Sequence, residues 1–513
     1  MDLEIRNKRF LSLDVFRGIA ILGVVVVHAL IFGVFSTIDT ALNILPLPML
    51  IILSPVVIFA PMAGLFVFIS SMSNGMVVQK RLNQGYSIQT AIQPILITGL
   101  ALLILHFIFP LLFNHSNTSM FHPDTMIDAM IPASITQGRL ILPRFENLLL
   151  MDAMAMISMA CFFFVIVSLI LFRKNSKSTV EQKMFRLAVV GFVWIFAAPL
   201  IWGVFWKLLE FFYFQEGFLR LFAIPVSFFA AKIHPITTTA PFAIFGTWFA
   251  LFLYTVPEYS VLKRRTHRMA LLMAIFMLIC VGFKAFVCFA KDNVVYDFLL
   301  KSGLIDWLAL NTPAKDPSVD PRPSLISGDF KNAVFNFHVL PPELLFLGMA
   351  ICFFFFPFFI KKLDYQTDER KAELAKKTAP IQRFGTVSLT VFFWESTIFS
   401  AVAKLFHTFV PAKGSEAPLF SFFYEAPFWI DPKIQFEGID SFMHIWPLWF
   451  IYLFTVIGLW FLALFLWSRF SFKFSMEWFI VTLTKPFRKI RSTKLDVLKD
   501  KSIYTAHSER ERE

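Results

Sequence analysis

Long apolar stretches separated by short basic or turn-forming segments set the pattern of this chain. Windows such as 91–113, 148–172, 269–290 and 443–467 hold few or no charged residues, and each is long enough to cross a hydrocarbon core of roughly 30 Å as a helix. The same reading along the whole chain predicts about ten spans, near 15–35, 50–72, 91–113, 148–172, 187–206, 239–256, 269–290, 339–360, 386–410 and 443–467. The expected fold is all-α, a polytopic integral membrane protein. Residues 1–467 read as one multi-span domain with outer loops 114–147, 207–238, 291–338 and 411–442, followed by a basic tail over 468–513. No internal repeat is visible, so a transporter built from two matching halves has no sequence support.

Composition agrees. Of 513 residues, 57% are hydrophobic and 16% charged, with a mean hydropathy of +0.68, against about half apolar and a quarter charged in soluble domains. The first apolar segment is too long for a cleaved signal and lacks a small-residue cleavage site, so it is expected to remain as the first membrane helix. Most of the 47 Lys and Arg residues fall in 1–17, 74–90, 172–187, 257–269, 361–384 and 468–513, which places those segments and both termini in the cytoplasm by the positive-inside rule. A plasma-membrane location is expected. The net charge of +12 then answers to anionic inner-leaflet lipid, and its spread among short loops argues against nucleic acid.

The four cysteines, Cys161, Cys280, Cys288 and Cys352, fall within the expected spans, where helix packing explains them better than a disulfide framework or a metal site. Two glycosylation sequons, "NHS" and "NTS", lie in the 114–147 stretch. Residues 207–238 are apolar but interrupted by Lys207, Glu210, Glu216, Arg220 and Lys232, the pattern of an interfacial helix or re-entrant pair. "NTPAKDPSVDPRPS" within 291–338 cannot continue a helix.

The first span carries unusual chemistry. In "FRGIAILGVVVVH" an arginine and a histidine bracket an apolar run. Eleven residues on a helix return to within about 20° of the same direction and advance roughly 16 Å, so Arg17 and His28 share a face. Asp14, three residues before Arg17, is placed to hold the guanidinium, and Gly18 and Gly23 would let neighbouring helices approach closely. Ordinary roles exist for both: Arg17 as a boundary anchor and His28 as a hydrogen-bonding partner for a neighbouring helix. An intramembrane ionisable group is nonetheless a functional candidate by default.

"RFLSLDVFRGIAILGVVVVH" resembles the first helix of the transmembrane acyltransferase superfamily, and the ten residues between Arg17 and His28 are similar to the signature of its acyltransferase-3 branch. "APMAGLFVFISSMSNG" and the following "QKRLNQG" resemble the second helix and basic loop of heparan-α-glucosaminide N-acetyltransferase-like members. "LLLMDAMAMISMA", "FGTVSLTVFFWES" and "FSMEWFIVTLT" are similar to motifs of YeiB-type membrane proteins. This chain departs from that type in having His28 where asparagine is usual, Val391 where asparagine is usual and Glu395 where glutamine is usual.

The resemblance implies acyl transfer from cytoplasmic acyl-CoA, acetyl-CoA being the expected co-substrate, to a hydroxyl or amine of a glycan or lipid-linked acceptor. Such a reaction needs a base for the acceptor proton and a donor for the developing oxyanion. His28 is the candidate base, with Glu395 as its orienting partner or a second base and Asp14 in support. Pairing of Glu395 with Lys404 or Lys284 is the competing arrangement. Arg17 would hold the phosphates of coenzyme A, with Ser73 and Asn74 at the same inner mouth, although helix packing also explains that pair. Asp152, Arg139 and Arg144 are candidates for acceptor binding; a helix cap also explains Asp152, and solvation the arginines. No metal is expected, since His115, His122 and Asp124 lack a fixed ligand spacing. The phenylalanine run "ICFFFFPFFI" reads as lipid-facing surface. A proton- or anion-coupled transporter and a non-catalytic membrane scaffold are the alternatives.

Overall fold

The computed structural model describes residues 10–34, 63–114, 117–119, 121, 126–172, 179–231, 235–255, 258–289, 342–409 and 446–484. The expected segments 50–62, 291–338, 411–442 and 485–513 lie outside them. Among the described residues the structure is helical apart from a two-residue antiparallel pairing of Asn117–Thr118 (β1) with Met126–Ile127 (β2). The helices are α1 (Leu11–Val34), α2 (Ala63–Asn83), α3 (Ile88–Leu112), α4 (Met130–Gln137), α5 (Ala153–Leu171), α6 (Val180–Tyr213) and α7 (Ala223–Ala230). They continue as α8 (Ile236–Thr255), α9 (Tyr259–Phe289), α10 (Pro342–Leu363), α11 (Asp368–Thr386), α12 (Ser388–Phe409), α13 (Trp446–Ser468) and α14 (Met476–Thr484).

Nine of the ten expected spans coincide with a described helix; of the span expected at 50–72 only 63–72 is described, where α2 begins and runs on to Asn83. Eight of the described helices are long and apolar enough to cross a membrane, and a ninth is counted if α6 is one span despite a 47° bend between Ala198 and Leu200. The sequence has a proline at that break, which cannot donate the helical hydrogen bond. The helix not included is α2, whose "SSMSNG" run lowers its hydropathy while Ser71 and Met72 are buried. Several helix starts carry legible caps. Thr179 and Gln182 exchange bonds in a capping box at α6, and Asp152 Oδ1 accepts from the Ala155 N–H at 2.8 Å at α5.

The chain divides into two compact units. The first comprises Met1–Leu13, Pro61–Leu103 and Leu149–Thr367. Its most enclosed span is α8, which packs on α2, α5, α6, α7 and α10. Phe68, Phe245, Phe249, Phe353 and Phe356 are fully buried there, with ring centroids 5.3–5.9 Å apart in several edge-on pairs, an arrangement aromatic rings favour. This corrects the reading of "ICFFFFPFFI" as lipid-facing surface. At helical spacing Phe353, Phe356 and Ile360 point into the core, and only Phe354, Phe355 and Phe358 are exposed. The N-terminus of α1 is held in this unit by a distant carboxylate, Asp364, which accepts from the Leu11 and Ser12 N–H groups at 2.7 and 3.3 Å.

The second unit comprises Asp14–Ala60, Ile104–Leu148 and Asp368–Glu513. Here α12 packs on α4, α11, α13 and α14, so the part of the expected tail that is described, 468–484, belongs to a packed unit. Gly18 on α1 and Gly385 on α11 face each other's backbone. A Cβ on Gly18 would lie 2.8 Å from the Ile381 carbonyl carbon and nearer still to its oxygen, and one on Gly385 would meet the Asp14 carbonyl and lie 3.0 Å from Gly18 N. Glu477 on α14 anchors the start of α12: its Oε1 accepts from the Leu389 and Thr390 N–H groups at 2.6 and 3.3 Å and its Oε2 from the Thr390 hydroxyl at 2.6 Å. Burial pushes the Glu477 carboxyl above its ordinary value, and these hydrogen bonds oppose the shift.

Candidate functional site

The second unit brings His28 and Glu395 together. His28 lies past the middle of α1 and Glu395 in the second turn of α12, yet His28 Nδ1 and Glu395 Oε1 are 2.6 Å apart. The carboxylate side chain is 1% exposed and the imidazole 18%. A carboxylate on Nδ1 favours the tautomer with its proton there, which leaves the basic lone pair on Nε2 and fixes the ring's direction. Aromatic rings build the surroundings: Phe392, one turn before Glu395, lies 6.4 Å from the imidazole and stacks on Phe109 at 5.1 Å. Phe113 packs on Phe393 and Trp394.

Three consecutive residues of α12 carry unpartnered oxygens. Glu395 Oε2, Ser396 Oγ and Thr397 Oγ1 are buried and have no hydrogen-bond partner among the described residues. Leaving a buried polar atom unsatisfied costs about 1–3 kcal/mol, so Glu395 Oε2, on the carboxylate that meets the imidazole, is suited to receiving a polar group; Ser396 and Thr397 leave the helix about 100° and 200° further round.

Of the two competing arrangements for Glu395, the structure has the histidine pair. Lys404 instead donates to the Thr136 carbonyl at 2.9 Å, at the C-terminal turn of α4 where a cation complements the free carbonyls. The Lys284 side chain lies outside the described residues. Asp14 is buried and Arg17 half-buried, three residues apart on α1, and one continuous helix runs from both to His28.

The remaining candidates are dispersed. Arg139 follows the left-handed Gly138 that ends α4 and is exposed, its guanidinium donating to Gln137 Oε1 at 3.4 Å. The Arg144 side chain is also exposed, on a loop braced by buried Asn147, which donates to the Pro110 and Asp128 carbonyls. Asp152, Ser73 and Asn74 belong to the first unit. Asp152 is the N-cap of α5, and Asn74 donates to Cys161 Sγ at 3.9 Å across the α2–α5 contact, a packing role. His115, His122 and Asp124 lie outside the described residues. Asn114, the acceptor of the first sequon, is 4% exposed, which closes it to a glycosyl group in this conformation.

Two anchoring carboxylates escaped the sequence reading. Glu477 sits in a motif singled out only for its resemblance, and Asp364 just after a span. Their signal is an acidic residue beside a span end, where another helix start needs acceptors. Comparison of the chain with protein-family models, with curated proteins and with solved structures gives no match.

Proposed function

We propose that the chain is a membrane acyltransferase of the superfamily its first helix resembles, moving an acyl group, acetyl being the expected one, from cytoplasmic acyl-CoA to a hydroxyl or amine of a glycan or lipid-linked acceptor. The observation that carries this reading is the 2.6 Å contact of His28 with a buried glutamate. A histidine whose one nitrogen is steered by a carboxylate is the recurrent general base of acyl transfer.

In this mechanism His28 Nε2 takes the proton of the acceptor O–H or N–H as that atom attacks the thioester carbonyl. Glu395 holds the ring and steadies the imidazolium. The imidazolium then returns its proton to the departing thiolate as the C–S bond breaks, so base and acid are the same group. Arg17 binds coenzyme A phosphates at the inner boundary, with Asp14 orienting it. Arg139 and Arg144 contribute to the acceptor side. The topology that goes with this reading is ten spans in the plasma membrane with both termini cytoplasmic.

A buried His–Glu pair and a bent span also suit a proton-coupled transporter. Purified protein reconstituted in liposomes separates the two readings. The acyltransferase releases coenzyme A thiol from acetyl-CoA, and Arg17→Gln raises the KM for acetyl-CoA. Acidification of the lumen under an imposed gradient, without thiol release, would establish the transporter instead.

A further inference from the structure

Arg383 near the end of α11 and Arg469 just past α13 converge on one ring. Their guanidinium carbons lie 5.1 and 4.9 Å from the centroid of Phe465, which puts the two cations within about 10 Å of each other, close enough to repel in a medium less polar than water. Among the described residues neither is paired with a carboxylate, whereas Arg370 and Lys377, earlier on α11, both bind Glu373. Partial burial pulls Arg383 below its ordinary value, as expected of a cation without an opposing charge. The stacking on Phe465 holds both side chains in place while leaving their N–H forks for another ligand.

The position is that of a lipid headgroup. The apolar part of α13 ends at Ser468 and that of α12 begins at Ser388, so both arginines sit at the edge of the hydrocarbon layer, beside the Phe384–Phe461 contact at 5.0 Å. The turn after α13 adds to this face. Ser471, Phe472 and Phe474 all have positive φ, a costly backbone for residues with side chains. The turn is held by buried Phe472 and by Trp467 Nε1 donating to the Lys473 carbonyl at 2.8 Å. Its outcome is to leave Phe470 and Phe474 outward at 71% and 68% exposure, with Lys473 between them, also exposed. Aromatic side chains next to basic ones are the anchors of a membrane interface.

We propose that Arg383 and Arg469 form a binding site for the phosphate of an anionic phospholipid, with Lys473 adding charge and Phe470 and Phe474 lying against its acyl chains. The site is independent of the proposed acyl transfer. Two guanidinium forks match phosphate oxygens in geometry as well as charge, and the adjoining exposed rings favour a lipid over a free phosphate.

Native mass spectrometry of the detergent-purified full chain, titrated with phosphatidylglycerol or phosphatidylcholine, tests this. The protein is expected to retain one phosphatidylglycerol in preference to phosphatidylcholine, and Arg383→Gln/Arg469→Gln to weaken that retention about tenfold. Arg469→Gln alone, at an exposed position, gives a smaller loss in the same direction and serves if the double variant does not purify as a single species. Equal retention by wild type and Arg469→Gln, or no preference for the anionic lipid, would overturn the site. Displacement of the lipid by millimolar inorganic phosphate would overturn its assignment to lipid.

Discussion

Replacing Gly18 by alanine probes the closest helix contact near the site. The new Cβ would lie 2.8 Å from the Ile381 carbonyl carbon and 2.9 Å from its Cγ2, where ordinary contacts are about 3.5–4.0 Å. Helices α1 and α11 must therefore separate by about 1 Å, and overpacking of this kind costs about 1–3 kcal/mol. Alanine also raises helix propensity by about 0.8–1.0 kcal/mol, so the control is Gly458→Ala on α13, where a Cβ meets nothing within 4 Å. Both variants gain the propensity and only one carries the clash. Gly18→Ala should thus be less stable than Gly458→Ala by about 1–3 kcal/mol, and Gly385→Ala should behave like Gly18→Ala because its Cβ meets the Asp14 carbonyl. Thermal unfolding of the detergent-purified proteins, followed by tryptophan fluorescence, measures the difference. Gly18→Ala and Gly458→Ala melting together would refute the close α1–α11 approach.

Further outcomes follow from the same contacts. His28→Ala leaves the Glu395 carboxylate buried without its partner and should destabilise by about 3–5 kcal/mol; adding Glu395→Gln should recover much of the loss, which a double-mutant cycle of unfolding midpoints reads directly. Asp152→Ala removes the α5 cap and should cost about 1 kcal/mol, measurable in the same melts. For Glu477 the folded carboxyl titrates above its unfolded value, so its contribution to stability is full below the unfolded pKa and is lost as pH rises through the folded one. Glu477→Gln should abolish that part of the pH dependence, and an unchanged pH–stability curve would show that Glu477 is not the group responsible.

Much of the architecture was legible because hydrophobic length is a strong constraint in a membrane chain. Nine of the ten expected spans coincide with a described helix, and helix boundaries such as Asp152 and Thr179 carried their own caps. The site was partly legible: His28 and Glu395 stood out as ionisable groups within apolar windows, and Glu395 had three possible partners in sequence. Only packing of α12 distinguished His28 from Lys404, which spends its charge on the C-terminal turn of α4. Hydropathy misjudged the phenylalanine run of α10, since it does not tell lipid from protein interior and only the helical phase separates Phe353 from Phe354. Asp364, Glu477 and the Arg383–Arg469 pair were not legible, because each acts on residues distant in sequence whose approach depends on the tertiary fold.

The central claim is that His28, steered by Glu395, removes the acceptor's proton during acyl transfer. Turnover of labelled acetyl-CoA by wild type, His28→Gln and Glu395→Gln, at saturating co-substrate in one membrane preparation, tests it most directly. The account predicts a wild-type activity that falls by about 10²–10⁴-fold in His28→Gln and less steeply in Glu395→Gln, with the KM for acetyl-CoA little changed in both. Full turnover by His28→Gln would contradict it.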